Sequence, residues 1–126
     1  MNYWIVLLAA VSSFVVGGLW YSPMLFGKAW NRENGSAAGQ GHPAKVFGVA
    51  FAFSLLAAAC FALLVGPSPA FDDALRLGAL AGIGLVAASF GINYQFAGRS
   101  FRLWLIDGGY HAVQFGLFGV IFGLWG

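Results

Sequence analysis

The chain has 126 residues, of which 60% are hydrophobic and only 8% carry a charge. A soluble domain carries roughly 25% charged residues, so this composition cannot cover a globule with polar surface and places the chain in lipid. Six Lys and Arg against four Asp and Glu give a net charge of +2, which is too little basic charge for a nucleic-acid-binding surface. Cys60 is the single cysteine, which excludes an internal disulfide or a zinc–thiolate site.

Four apolar segments have the length of a membrane helix. Each has roughly the 20 residues needed to cross a bilayer, and none alternates polar with apolar residues as a membrane strand does. The sequence therefore predicts an all-α protein, a four-transmembrane-helix membrane bundle in a single domain over residues 1–126. The helices are expected at about residues 3–22, 46–66, 74–95 and 102–125.

Local signals mark several of the helix ends. Asn2 can cap the first helix, and Pro23 stops it because proline cannot continue the hydrogen-bond ladder. No basic region precedes this first apolar run and no small-residue cleavage site follows it, so we expect a retained helix rather than a signal peptide. A Gly-Pro pair at residues 66–67 ends the second helix. Asp72 and Asp73 lie where the N-terminus of the third helix favours negative charge.

The segment between the first two helices has two parts. Residues 24–30 resemble a short interfacial segment, with its apolar side toward lipid and Lys28 toward water. Residues 31–42 are hydrophilic and rich in glycine, which is typical of a mobile connector rather than a domain.

Basic residues concentrate on one side of the expected bundle. With four crossings, the first and third loops share a side, and that side carries Lys28, Arg32, Lys45, Arg99 and Arg102. The opposite side holds only Arg76. The positive-inside rule therefore predicts basic loops in the cytoplasm, both termini outside it, and a location in the cytoplasmic (inner) membrane. Tryptophans at both ends of the first and fourth helices fit interfacial belts at the same two levels.

Small residues at helical spacing predict close helix packing, because in lipid close approach of backbones replaces the hydrophobic drive between helices. The third helix carries Gly78 and Gly82. The stripe on the fourth helix consists of Ala112, Gly116, Gly119 and Gly123. This stripe lies opposite a polar face of the same helix, so we expect the fourth helix to be central, within the monomer or at the axis of a homo-oligomer.

That polar face is the most informative feature of the sequence. Asp107, His111 and Gln114 stand at i, i+4 and i+7 and so share one side of the helix. Ionisable groups in a bilayer are costly unless they are paired or wetted. With Asn93 from the third helix, and with Tyr94, Gln95 and Tyr110 as neighbours, the face suits a path for a proton, an ion or a small polar solute.

The same residues also allow a purely structural interpretation, in which the polar stripe holds helices together. The candidate partners are Arg102, Arg99 or Lys45 for Asp107, Asp107 itself for His111, and Ser54 or Ser89 for Gln114. On this interpretation the chain is a non-catalytic membrane scaffold or accessory subunit.

Enzyme and cofactor signals are weak. Asp107 and His111 are two potential metal ligands on one face, too few for zinc or iron, so we expect no metal site and no other cofactor. The sequence contains no Gly-x-Ser-x-Gly, no His-Glu-x-x-His and no phosphate-binding glycine loop. We therefore expect no enzymatic activity, with a lipid-acting enzyme that uses Asp107 and His111 as a third alternative.

Two stretches carry a family likeness. Residues 17–30, Gly-Gly-Leu-Trp-Tyr-Ser-Pro-Met-Leu-Phe-Gly-Lys-Ala-Trp, resemble the signature of the domain of unknown function 1761 (DUF1761). Residues 105–111, Leu-Ile-Asp-Gly-Gly-Tyr-His, look like the second recurring block of that family. The resemblance implies a small bacterial-type integral membrane protein with four helices, and it implies no activity.

The leading hypothesis for function is a channel or transporter component that passes a proton, ion or small polar solute along Asp107, His111, Gln114 and Asn93. The alternative is the scaffold or accessory subunit described above. The expected partners are the lipid bilayer, further copies of the chain, and a small polar solute or ion, with no nucleic acid.

Overall fold

The computed structural model describes residues 2–35 and 43–126, and in this part of the chain it contains helices and no strands. The helices are α1 (Tyr3–Trp20), α2 (Gly27–Asn34), α3 (Pro43–Val65), α4 (Phe71–Phe96) and α5 (Phe101–Trp125). Four of them, α1, α3, α4 and α5, are long and apolar enough to cross a membrane. The predicted all-α fold with four membrane-length helices is therefore confirmed.

The helix ends follow the local signals closely. The Asn2 side chain accepts a hydrogen bond from the Trp4 amide at 3.0 Å and caps α1, as expected. Ser100 caps α5 in the same way, accepting from the Leu103 amide at 3.1 Å. Asp72 and Asp73 lie in the first turn of α4. The observed bounds differ from the predicted ones by only a few residues. α3 begins at Pro43 and α4 at Phe71, where the sequence predicted residues 46 and 74.

The polar segment after Trp30 is partly helical, which corrects the expected connector. Residues 31–34 belong to α2. Two side-chain contacts hold this helix against the loop between α4 and α5: Ser100 donates to Glu33 at 2.9 Å, and Arg99 donates to Asn34. These contacts order residues whose composition alone indicated a flexible linker. The remainder of the expected connector, residues 36–42, lies outside the described residues.

A π-helical segment, Leu80–Ala87, interrupts α4 between α-helical Phe71–Ala79 and Ala88–Phe96. A π-helix closes its hydrogen bonds over five residues instead of four, so it changes which residues share a face. The residues of α4 that contact α5 include Gly78, Gly82, Ala87, Gly91 and Tyr94. Gly82 and Ala87 are five residues apart, so the π-segment moves the contact face of α4 by one residue at this point. In an uninterrupted α-helix, residue 93 would lie on the contact face in place of Tyr94.

The small residues of α4 and α5 meet at a close backbone contact. A Cβ at Gly119 would lie 2.6 Å from the Ala74 carbonyl oxygen, and a Cβ at Gly82 would lie 2.9 Å from the Ala112 Cα. Gly78 lies against the Phe115 backbone, and a Cβ at Gly123 would lie 2.9 Å from the Phe71 ring. No larger side chain fits at these glycines, so their backbones can approach closely.

Gly116 is the one member of the predicted stripe that lies outside this contact. A Cβ there would meet no heavy atom within 4 Å. The reason is angular: at ~100° per residue, Gly116 lies roughly 40° around the helix from Ala112, at the margin of the stripe.

The two ends of the bundle differ in character. The end that carries α2 and the α4–α5 loop, with all five basic residues of the predicted inner side, is called the basic end below. At the opposite end, Phe61 is 1% exposed and its ring lies 5.8–6.1 Å from those of Phe115, Phe118 and Phe122. This end, together with the buried residues Ile5, Val6, Ala9 and Ala10 of α1, is called the aromatic end.

Large apolar side chains cover the outward faces of the long helices. Leu63, Leu64, Ile83 and Leu85 are each more than half exposed. The single cysteine, Cys60, is free and exposed among them on α3. Such faces would be unfavourable in water and suit contact with acyl chains.

Candidate functional site

A cavity of about 890 Å³ occupies the basic end of the bundle. Most of the lining comes from the half of each long helix nearest that end: residues 14–18 of α1, with Tyr21 just after it, 46–57 of α3, 86–90 of α4 and 107–115 of α5. Trp30 and Asn31 of α2 complete the lining. The cavity therefore lies beside the basic loops and meets the aromatic end at Phe115.

The polar stripe expected from the sequence faces this cavity. Asp107, His111 and Gln114 all line it, joined by Tyr21 and Tyr110. Asp107 and Gln114 are buried, at 8% and 4% exposure, and His111 is half-buried. The spacing of i, i+4 and i+7 on one helix thus brings the three side chains to one wall.

Asn93, the fourth residue of the expected path, does not join them. It is exposed and is absent from the cavity lining. The π-segment shifts the contact face of α4 by one residue, so Tyr94 takes the place that Asn93 would have in a regular helix.

Asp107 is held by two phenols instead of a basic residue. Its Oδ1 accepts a hydrogen bond from the Tyr21 hydroxyl at 2.7 Å, and its Oδ2 accepts one from the Tyr94 hydroxyl. These bonds link the end of α1, α4 and α5 at one point. Each phenol supplies a donor to the carboxylate without bringing a second charge into the bundle.

The expected partners of Asp107 are engaged elsewhere or exposed. Arg99 donates to Asn34 of α2, and Arg102 and Lys45 are exposed. Over residues 2–35 and 43–126 the structure contains one salt bridge, between Arg76 and Asp73. Asp107 consequently has no ionic partner among the described residues, which corrects the interpretation of a carboxylate–arginine clamp.

Tyr21 lies just beyond the end of α1. Burial, and then its hydrogen bond to Asp107, raises the pKa of Tyr21 above the usual value of a phenol. The hydroxyl therefore keeps its proton and acts as a donor to the carboxylate. The Tyr21 ring lies 5.9 Å from that of Trp30 and 5.7 Å from that of Tyr110, so the phenol is also fixed from the side.

His111 bonds its own neighbour on the stripe. His111 Nδ1 and Gln114 Oε1 are 2.7 Å apart, in place of the expected bonds to Asp107 and to serines on other helices. An amide oxygen can only accept, so Nδ1 donates this hydrogen bond. The imidazole lies 4.8 Å from the Phe90 ring and 5.0 Å from the Tyr110 ring.

Aromatic donors tie the helices together around the cavity. Trp20 donates its indole N–H to the Ile106 carbonyl at 2.8 Å, Trp104 donates to the Ala87 carbonyl at 2.8 Å, and Tyr110 donates to the Ser13 carbonyl at 2.9 Å. The sequence indicated Trp20 and Trp104 as markers of the membrane interface. It gave no signal that they also donate between helices.

One side of the cavity is open. α3 packs on α1 through Phe14, whose ring lies 6.1 Å from that of Phe47 and 5.5 Å from that of Phe51. The contacts of α3 with α4 are concentrated at Phe71–Ala79, toward the aromatic end. Phe53 lines the cavity yet is 65% exposed. The gap between α3 and the basic half of α4 therefore opens the cavity toward the surface that would face acyl chains.

The chemical inventory of the cavity is small. Among the described lining residues it consists of one carboxyl group, one imidazole, two amides, two phenols, one serine hydroxyl and one indole among aromatic and aliphatic walls. In the part of the chain that the structure describes, no group of three or more His, Cys, Asp and Glu could hold a metal ion. These groups can bind a molecule by charge, by hydrogen bonds and by aromatic contact.

Comparison with known proteins identifies a family but no activity. The family described as "Protein of unknown function (DUF1761)" matches residues 4–123, so the chain belongs to that family, as the two stretches of likeness predicted. No curated protein and no solved structure matches the chain.

Proposed function

We propose that this member of the DUF1761 family is a membrane transport component that binds a small solute in the cavity lined by Asp107, His111 and Gln114. The observation that carries the proposal is the cavity itself, with three polar groups on one wall. Its volume of about 890 Å³ lies within the range of ligand sites in proteins, which are mostly apolar with a few placed polar groups.

The packing of the aromatic end favours a carrier over an open channel. Phe115 lines the cavity and also contacts Phe61, which is almost completely buried. A continuous pore would need a wetted path through this cluster. A carrier instead opens its site to one side at a time, as small membrane transporters do.

The proposal includes an orientation and an assembly. The loops at the basic end carry five of the six basic residues, which supports a cavity on the cytoplasmic side of the inner membrane. The bundle is small, and the assembly that we propose for it is a homo-oligomer with closed symmetry, the commonest form of protein oligomer.

The test is solute flux into proteoliposomes. Protein of wild-type sequence and the His111→Ala variant are reconstituted, and flux of protons, glycerol, choline and acetate is followed with an entrapped pH-sensitive dye and by stopped-flow swelling. We expect saturable flux of at least one solute with the wild type and a loss of several-fold with His111→Ala. Asn93→Ala is the matched control, because Asn93 is polar, exposed and off the cavity. Background flux for every solute in the wild type would remove the proposal.

A second candidate function is a scaffold or accessory subunit. The favouring observation is that Asp107 bonds Tyr21 and Tyr94 and so joins three helical elements. On this view Asp107→Ala lowers the thermal stability of the bundle or dissolves its oligomer, flux stays at background, and one protein co-purifies reproducibly with the wild type from its native membrane.

A further inference from the structure

The described lining of the cavity contains one acidic side chain, Asp107, and no basic side chain other than the imidazole of His111. Asp107 lines the cavity and accepts hydrogen bonds from two neutral phenols. Among the described lining residues none is Lys or Arg. A buried carboxylate without an ionic partner attracts a cation more strongly than one in water, because the low dielectric of the bundle screens it less.

The walls around this charge are largely aromatic. Trp30, Phe47, Phe53, Phe90 and Tyr110 all line the cavity. Aromatic faces attract cations through their ring quadrupole, and the gain is greatest for cations that are already poorly hydrated. A small inorganic cation would have to shed its water against these walls, which is costly. An organic cation with a delocalised or shielded charge avoids that cost.

The surroundings of the cavity favour access from the bilayer. The basic end carries the exposed residues Lys28, Arg32, Lys45 and Arg102, which repel a cation that approaches from water. The gap between α3 and the basic half of α4, bordered by Phe53 and Phe90, faces the acyl chains instead. A molecule that dissolves in the bilayer and carries a positive charge fits both conditions.

We infer that the ligand of this cavity is a lipophilic organic cation, bound with its charge toward Asp107 and its apolar groups on the aromatic walls. This assignment names the substrate class of the proposed transport function and rests on it for its physiological meaning. The binding itself can be measured without any transport.

The experiment compares two ions of the same shape and opposite charge. Binding of radiolabelled tetraphenylphosphonium and of tetraphenylborate to the purified full-length protein in detergent is measured by equilibrium dialysis, with protein-free micelles as the blank. We expect saturable binding of the cation and at least about tenfold weaker binding of the anion. A tenfold ratio of the two dissociation constants is what one favourable charge contact of moderate strength gives. Comparable binding of the two ions, or no saturable binding of the cation, would overturn the inference.

A matched pair of variants tests the role of the carboxylate. Asp107→Asn keeps the shape and can still accept one phenol hydrogen bond, and we expect it to weaken cation binding about tenfold or more. Asp72→Asn makes the same change at an exposed position of α4 and should leave binding unchanged. A folded Asp107→Asn protein with wild-type affinity would overturn the inference. Should this variant fail to fold, the comparison of the two ions in the wild type decides.

The two proposals fail separately. Cation binding without flux of any solute, the bound cation itself included, would remove the transport proposal and leave the ligand class standing. Flux of another solute by a protein that does not bind the cation would remove the ligand class alone.

Discussion

The basic end and the aromatic end of the bundle are stabilised in different ways. At the aromatic end, α4 and α5 approach over glycines, and the Phe61 ring packs among three other phenylalanines. At the basic end, helices stand apart around a cavity and are joined by indole and phenol hydrogen bonds, such as those of Trp20 and Tyr21.

The difference reflects what holds helices together in lipid. Acyl chains are as apolar as leucine, so helices associate through close packing or through polar contacts. Close packing leaves little space, and the α4–α5 contact at the aromatic end is accordingly tight. Polar contacts act from the tips of long side chains such as Trp20 and Tyr94, so they can hold helices at a distance. The basic end can therefore keep a cavity and remain assembled.

The largest expected effect separates two glycines of α5. Gly119→Ala places a methyl group against the Ala74 carbonyl oxygen and the Leu75 Cα, and we expect it to destabilise the bundle by about 3 kcal/mol, the cost of forced overpacking. Gly116→Ala meets open space, and we expect it to be neutral or slightly stabilising because alanine favours the helix. Unfolding in mixed detergent and SDS, followed by helicity, measures both. Equal losses would show that the α4–α5 contact is not close.

A smaller effect should separate two phenylalanines of α3. Phe61→Ala opens a void at the aromatic end, and we expect a loss of about 2 kcal/mol. Truncating a core side chain costs its transfer free energy plus the free energy of the void that it leaves. Only the void contributes here, because lipid is as apolar as the protein interior. Phe53→Ala removes a 65% exposed side chain beside an existing cavity and should cost almost nothing. The same unfolding assay applies, and a Phe53→Ala variant as unstable as Phe61→Ala would mean that the basic end is closed.

The smallest expected effect tests how the basic end is held. Tyr94→Phe removes one hydrogen bond to Asp107, and we expect a loss of about 1 kcal/mol. Arg102→Gln removes one of the three basic residues that the sequence offered as partners of Asp107. Arg102 is exposed, so the loss of stability should stay within about 0.5 kcal/mol. A larger loss for Arg102→Gln than for Tyr94→Phe would restore the carboxylate–arginine clamp.

The sequence predicted the fold well because bilayer thickness and helix caps act locally. Membrane length alone indicated four helices, and Asn2, Asp72 and Asp73 marked the starts of two of them. The helicity of residues 31–34 was not predictable in the same way. It depends on contacts of Glu33 and Asn34 with a loop more than 60 residues away in the chain.

The site was predicted in part. Asp107, His111 and Gln114 lie on one helix, so helical periodicity sufficed to place them on one face. Their partners depend on tertiary structure. Tyr21 reaches Asp107 across 86 residues of sequence, and Tyr94 replaces Asn93 only because of the π-segment in α4. The apolar sequence of residues 80–87 does not predict a π-helical segment.

The single cysteine on α3 allows the protein to be labelled for spectroscopy without mutation. Cys60 is free and points outward, so a nitroxide or fluorophore can be attached without engineering any other position. In a sample of labelled chains, dipolar coupling between nitroxides on neighbouring copies would count the protomers in an assembly and give their spacing. The same label would also report any displacement of α3 when the cavity fills.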